Sequence, residues 1–332
     1  MQSRRARKSP SRIQQISQAI SGRDLASLKH LARTGDGLVT TRLRRRAWPL
    51  LLNFRSLLDP GTHHDKHPDE PQVALDVPRT HVFQSNELRR SDDGVRRRQE
   101  QLHGVVNGVL RAYPWLRYYQ GFHELAMPFV CVFGSTGAAR EALRMVALFF
   151  VRDALASGLD PVVQQLQLLA ALLARAAPGV HALLEELGVP PFYAISWVLT
   201  WFAHDVGELG DVCRIYDFLL ASGPLQVVYV AAAVVRQGAA QVLGLGRDFA
   251  AVHAGLAALP RGVRAWARVL EDSAALASEF PPAMLQQMGG VLARRSAVNT
   301  FEATWTRLDP ARPLQFTALV PGDRHPLSAP KA

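Results

Sequence analysis

Cysteine is almost missing from this chain. Cys131 and Cys213 are the only two in 332 residues, and both sit in apolar sequence. A disulfide framework needs more cysteines at closer spacing, so these read as reduced, buried thiols of a cytosolic protein. No metal-ligand spacing involves them. A secretory leader is also lacking, because the N-terminus carries Arg4, Arg5, Arg7, Lys8 and Arg12 and no apolar core. Long apolar runs are few. The most apolar one, over 215–235, is long enough for a bilayer, which takes about 20 residues. Asp217 sits inside it, Gly223-Pro224 breaks it and Arg236 follows it, so it predicts two buried helices and no membrane span. Strand signals are scarce, with no alternating β-branched run bounded by turn pairs. A Gly-x-x-x-x-Gly-Lys-Ser/Thr run is absent, and Gly244-Leu245-Gly246 lacks a third glycine and a preceding strand. The chain is therefore not expected to bind a nucleotide itself.

What is present is helical periodicity and positive charge. The chain is 48% hydrophobic, enough to bury a substantial core. Amphipathic periods cover 163–177, 178–187, 195–204, 227–242 and 263–279, each edged by Gly or Pro. Elements of that length between short breakers predict an all-α, multi-helix packed array. Two stretches fall outside the pattern. Residues 1–12 read as a disordered basic tail, and 59–71 as a polar loop of low order. The expected division is a tail over 1–12, a main domain over 13–290 and a partly disordered extension over 291–332. The net charge of +10 gathers in the tail and over 89–98. It reads as solvated tail and helix face, with an anionic membrane surface or an acidic partner as the sharper alternatives. Nucleic acid is not expected, since no aromatic or Gly residues interleave with the charge.

Metal chemistry also finds no support. His123-Glu124 opens a His-Glu-x-x-His pattern, but the fifth position is Met127. The cluster His63, His64, Asp65 and His67 reads as part of the polar loop, with adventitious metal binding as its alternative.

Two runs carry chemistry: Leu75-Asp76-Val77-Pro78-Arg79-Thr80 and Tyr118-Tyr119-Gln120-Gly121-Phe122-His123-Glu124. GTP hydrolysis draws most on an Arg, which cancels developing phosphoryl charge, and a Gln, which orients the attacking water. Pro78 favours an extended residue 77 and so predicts a loop around Arg79. Asp76 is placed to pair with the Arg79 guanidinium. Gly121, without a Cβ, lets the backbone beside Gln120 approach a partner closely.

Together these runs resemble the signature of TBC-domain Rab GTPase-activating proteins. Val73, Asp76 and Arg79 fit the family's Ile-x-x-Asp-x-x-Arg with Val for Ile. Tyr118 and Gln120 fit its Tyr-x-Gln. Arg44 and Trp48 match an opening Arg-x-x-x-Trp and share a helical face. Arg214-Ile215-Tyr216-Asp217 resembles a later Arg-x-Trp-Asp, and the run 195–204, with Trp197, resembles a Trp-rich helix between them. Arg44, Trp48, Trp197, Arg214 and Asp217 are expected to be structural. The resemblance spans about 12–288. Within the family, the runs around Gln120, Trp197 and Asp217 look most like the endoplasmic-reticulum-associated subgroup acting on the Rab of ER-to-Golgi transport.

The resemblance implies the all-α TBC fold and activation of a Rab GTPase, by Arg79 and Gln120 supplied in trans. Asp76, Tyr118 and Gly121 would support them. The partner is a GTP-loaded Rab, which holds the GTP and Mg²⁺, so no cofactor or metal of the chain's own is implied. The location implied is cytoplasmic, peripheral at ER or Golgi membranes. The alternative is a non-catalytic Rab-binding scaffold, which would have no need of both side chains.

Overall fold

The computed structural model describes residues 10–54, 65–80 and 92–308. Every regular element among them is helical. The first half runs α1 (Arg12–Ser21), α2 (Leu25–Arg33), α3 (Thr41–Leu51), α4 (Glu70–Asp76), α5 (Asp92–Ala112), α6 (Phe122–Phe133) and α7 (Thr136–Phe149). The second runs α8 (Asp160–Ala176), α9 (Pro178–Leu187), α10 (Ile195–Thr200), α11 (Leu209–Leu220), α12 (Gln226–Gln237), α13 (Ala239–Leu243), α14 (Phe249–Gly262), α15 (Trp266–Glu279), α16 (Pro282–Gly289) and α17 (Ala297–Trp305).

Helix α12 packs between α8 and α15. All its residues from Gln226 to Val235 are buried, as a helix apolar on every side must be. Helix α11 buries Val212 to Leu220 in the same way. The apolar stretch 215–235 is thus two core helices parted at Gly223-Pro224. No helix among the described residues is long and apolar enough to cross a membrane. Both cysteines are free and buried. Burial pushes the Cys131 thiol up to about 11 and the Cys213 thiol up to about 12, so neither ionises near neutrality.

Punctuation by Pro and Gly placed several helices well, α9 among them. Elsewhere tertiary contacts decided. The period expected over 227–242 divides at Gly238, where a Cβ would lie 2.6 Å from Leu259 of α14. The helix expected over 195–204 stops at Thr200, because Trp201 and Phe202 take left-handed φ of 51° and 66°. The N–H groups of both reach back to the Trp197 carbonyl, a helix-ending geometry usually built on Gly. Burial of the Trp201, Phe202 and Trp197 rings offsets the backbone strain.

Three expected boundaries move. Residues 1–9 lie outside the described residues, but the chain is ordered before residue 13. Ser11 and Gln14 cap α1 reciprocally. Arg12 belongs to no tail: its guanidinium donates to the carbonyls of Gly37 (2.9 Å), Leu31 (2.6 Å) and Thr34 (2.5 Å). The polar loop expected over 59–71 yields to structure at its end, where His67 is buried and Glu70 opens α4. The C-terminal extension docks as far as Leu308. Ser296 Oγ donates to Asp153 Oδ2 at 2.5 Å and the Ala297 N–H to Oδ1 at 2.8 Å, while Trp305 meets Phe149 and Phe150 edge-on. Residues 309–332 lie outside the described residues, as do His63, His64 and the first residues of the basic stretch 89–98.

The structural group assembles on Asp217, which is fully buried. Arg44 Nε donates to both of its oxygens at 3.1 Å and Nη2 to Oδ2 at 2.9 Å. Trp48 Nε1 donates to Oδ1 at 2.8 Å and the Leu38 N–H to Oδ2 at 2.9 Å. Arg214 instead holds the end of α2 and its turn, through the carbonyls of Gly35 (2.8 Å) and Ala32 (3.0 Å). Trp197 is fully buried and stacks on Phe202 at 5.8 Å.

Candidate functional site

Arg79 ends a 3₁₀ turn, Val77–Arg79, that continues directly from α4. The expected loop and extended residue 77 are not found. Val77 is helical, at φ −54° and ψ −43°, and its N–H bonds the Val73 carbonyl. Burial of Val73 and Val77 holds the segment down and outweighs the statistical pressure of Pro78. Pro78 opens the tighter turn at a position that needs no N–H donor, and its carbonyl accepts from Gln99 of α5 at 3.2 Å. Gln120 lies in the segment between α5 and α6, just before Gly121, which caps α6 at φ +113°.

Four polar side chains of the α4 region tie it to that segment and to the end of α5. His67 Nε2 faces the carbonyls of Leu116 (3.0 Å) and Pro114 (3.3 Å), while its Nδ1 accepts from the Asp69 N–H at 3.1 Å. Its hydrogen is therefore on Nε2, and neither nitrogen is left for a metal. Asp69 Oδ2 accepts from the Tyr118 N–H at 2.9 Å. Glu70 takes a two-pronged bond from Arg111, at 2.6 Å on each oxygen, which holds its carboxyl down at about 2. The fourth is Asp76, only 2% exposed. Its Oδ2 accepts from the Tyr118 hydroxyl at 3.0 Å and its Oδ1 from Gln72 at 3.1 Å.

The expected pairing of Asp76 with Arg79 is not formed. Asp76 points into the protein, where Tyr118 and Gln72 occupy both oxygens. Arg79 and Gln120 are exposed and make no hydrogen bond or ion pair among the described residues. The motif supports therefore act on one another, and the two solvent-facing side chains stay available. The bond from Tyr118 to Asp76 joins the residue three before Arg79 to the residue two before Gln120.

Behind Gln120 the floor is α10 and its left-handed turn. Tyr119 donates to the Leu199 carbonyl at 2.7 Å. A Cβ on Gly121 would lie 3.0 Å from Thr200 Cγ2, so this glycine is required by φ and by space alike. Glu124 pairs with His204 at 2.9 Å, and that bond raises the His204 pKa. Burial raises the Tyr118 phenol well above its usual range, with the Asp76 charge adding to it, so Tyr118 stays a donor. Burial likewise lowers the His123 pKa, which keeps that ring neutral near pH 7.

Sequence reasoning assigned His67, Asp69 and Glu70 to the polar loop, did not single out Arg111, and met His123 as a neighbour in the Gln120 run and as part of a broken zinc pattern. Its spacing of five from Tyr118 was the available signal. Among the described residues no group of three or more His, Cys, Asp or Glu could hold a metal ion.

Comparison with known proteins bears on the family and the fold. The Rab-GTPase-TBC domain family matches over residues 41–243, which include Arg79 and Gln120. TBC1 domain family member 20 of Homo sapiens is 30% identical over 305 residues, covering 88% of this chain and 73% of that protein. The GTPase-activating protein gyp10 of Schizosaccharomyces pombe is 29% identical over 277 residues, covering 80% and 72%. In fold, the chain is similar to the crystal structure of the Ypt/Rab-GAP domain of Gyp1p, at a TM-score of 0.64 and 17% identity over 80% of this chain and 99% of that one. It is also similar to the Chlamydomonas flagellar RabGAP TBC domain, at a TM-score of 0.58 and 16% identity over 80% and 89%. The all-α architecture, the motifs in their places and the extent of these matches agree: the chain belongs to the Rab-GTPase-TBC domain family.

Proposed function

We propose that the chain accelerates GTP hydrolysis by a Rab GTPase, supplying Arg79 and Gln120 to a nucleotide and Mg²⁺ that the Rab holds. The observation that carries this reading is the Tyr118–Asp76 bond. It ties together two motif segments 41 positions apart (120 − 79) and leaves the Arg and the Gln exposed and, among the described residues, unpaired. Arg79 would neutralise charge developing on the transferred phosphoryl group, and Gln120 would orient the attacking water in place of the Rab's own glutamine. An Arg supplied in trans contributes about 10³–10⁵ in rate.

Leu75, one turn before Arg79, is 58% exposed and offers an apolar contact to the same partner. The likeness of the Gln120, Trp197 and Asp217 runs to the ER-associated subgroup supports the Rab of ER-to-Golgi transport as substrate, and vesicle traffic as the process. The basic residues Arg4, Arg5, Arg7 and Lys8 would favour an anionic membrane surface. Liposome flotation unaffected by deleting residues 1–9 would remove that role.

The test is single-turnover GTP hydrolysis across a panel of Rabs, with wild type, Arg79→Ala and Gln120→Ala. The expected result is acceleration of one or a few Rabs, nearly abolished in both variants with the fold intact. Retained stimulation by Arg79→Ala would sink the two-finger assignment. Binding of a GTP-loaded Rab without acceleration would make the chain a scaffold.

A further inference from the structure

Gln120 sits at the apex of a turn whose two ends are tied to each other. Tyr118, two residues before it, and His123, three residues after it, meet with the hydroxyl 2.7 Å from Nδ1. Their rings lie 30° apart in plane, with centroids at 6.3 Å. The same hydroxyl reaches Asp76, three residues before Arg79. One phenol oxygen is therefore common to both finger-bearing segments.

The hydrogens on that oxygen can be counted. A carboxylate only accepts, and a phenol has one hydrogen to give. With that hydrogen directed at Asp76 Oδ2, the contact with His123 is favourable only when Nδ1 carries a hydrogen and donates it to the phenol oxygen. The neutral ring then has its hydrogen on Nδ1. Were it on Nε2, Nδ1 and Asp76 would compete for the single phenol hydrogen, and one buried acceptor would lose its donor. His123 is 5% exposed, so it does not meet a partner itself. The charged and titratable groups around it are Asp76, Glu124 and His204.

We infer that His123 is a positioning residue for both fingers: its Nδ1–H bond to Tyr118 commits the Tyr118 hydrogen to Asp76 and so locks the Gln120 turn against the Arg79 segment. The inference rests on the function proposed above.

The test uses the full chain and a Rab that wild type accelerates, with the chain titrated to saturation. His123→Phe keeps a ring and removes the donor. His123→Asn places an amide N–H near the position of Nδ1–H. Tyr118→Phe removes the shared oxygen's hydrogen bonds from the other side. His123→Phe and Tyr118→Phe are each expected to lower the saturating rate about 10- to 100-fold. The concentration for half-maximal effect should move less than about threefold. His123→Asn should recover most of the rate, and the double variant Tyr118→Phe/His123→Phe should be no slower than either single one. Equal rates for wild type and His123→Phe would overturn the inference, as would a folded His123→Asn as slow as Tyr118→Phe.

A second readout needs no Rab. The imidazole Nδ1–H of His123 should give a slowly exchanging NMR resonance in wild type that is lost in Tyr118→Phe, and it serves even if His123→Phe does not fold. Absence of that resonance overturns the inference and leaves the proposed function standing. Its presence in a wild type that accelerates no Rab overturns the proposed function, and this inference with it.

Discussion

Gly121→Ala should damage the site through backbone geometry alone. Gly121 holds φ +113°, a region that residues with a Cβ rarely enter, and forcing one there costs about 1–3 kcal/mol. The added methyl would also lie 3.0 Å from Thr200 Cγ2. Thr200 cannot turn aside freely, because its hydroxyl donates to the Ser196 carbonyl at 2.7 Å and accepts from the His204 N–H at 3.2 Å. Crowding of a packed site adds about 1–3 kcal/mol. The sum, about 2–6 kcal/mol, corresponds to a melting temperature about 3–10 °C lower in a domain of roughly 300 residues.

The strain also has an outlet toward function. If the turn opens to relieve it, Gln120 moves with it, and a shift near 1 Å costs about 100-fold in rate. Thermal unfolding and single-turnover hydrolysis at saturating chain read the two effects separately. Thr200→Ser removes Cγ2 and keeps the hydroxyl. In Gly121→Ala/Thr200→Ser the contact part should be recovered and the φ part should remain, giving about half the lost melting temperature back. A Gly121→Ala variant with wild-type melting and wild-type rate would refute the argument, and no recovery on adding Thr200→Ser would refute its steric half.

Three further perturbations test other parts of the framework. Asp217→Ala removes the one anion opposite Arg44 and leaves Trp48 Nε1 and the Leu38 N–H without acceptors; denaturant unfolding should show a loss of about 3–5 kcal/mol, with hydrolysis by the folded fraction unchanged. The folded pKa of Glu70 is depressed to about 2 from a reference of 4.5, first by the Arg111 bond. Its stabilisation is therefore complete above the reference value and is lost as pH falls toward about 2. The gap in denaturation midpoint between wild type and Glu70→Gln should be largest near neutrality and close over that window; a gap that does not change with pH would contradict the ion pair. Leu75→Ala should raise the concentration for half-maximal stimulation about 10-fold and spare the saturating rate, as expected for an apolar contact worth about 1–2 kcal/mol; an unchanged titration curve would place Leu75 outside the interface.

Local signals pointed to Arg79, Gln120 and the helical class but not to the contacts around them. Arg79 and Gln120 stood out because each lies in a short run with recognisable neighbours. Helix α9 was legible because Pro178 and Gly188 bracket it. The arrest of α10 at Thr200 was not, since nothing local asks Trp201 and Phe202 to be left-handed; only the surrounding rings do. The α4 clamps were hidden for a related reason. His67 reaches carbonyls 47 and 49 positions away and Glu70 an arginine 41 positions away, while their own neighbourhood is polar and rich in Pro and Asp, which reads as a loop. Asp217 was suspected of a structural role, but its donors Arg44, Trp48 and Leu38 lie 169 to 179 positions away.

The role of Asp76 separates two views of how Arg79 is kept ready. Motif spacing suggested a charge pair, whereas in the structure Asp76 is buried and spends its oxygens on Tyr118 and Gln72. The two views differ in what Asp76→Asn should do. A charge pair would be lost as fully in Asn as in Ala. The observed bonds need an acceptor for Tyr118 and an amide partner for Gln72. Asn supplies the first through Oδ1, and a flip of the Gln72 amide meets its Nδ2–H with Oε1. Asp76→Asn should therefore keep the saturating rate within about 10-fold of wild type. Asp76→Ala leaves the Tyr118 hydroxyl without its acceptor, costs about 1–3 kcal/mol and frees the Gln120 turn, so its rate should fall to the level of Tyr118→Phe. Equal losses in Asp76→Asn and Asp76→Ala, with equal melting temperatures, would restore the charge pair and remove the shared hydroxyl from the argument. A graded loss would mean that Arg79 is kept ready by the placement of its helix end and not by a counter-ion. On the proposed function, Arg79 would meet the Rab's phosphates without first breaking a bond to Asp76.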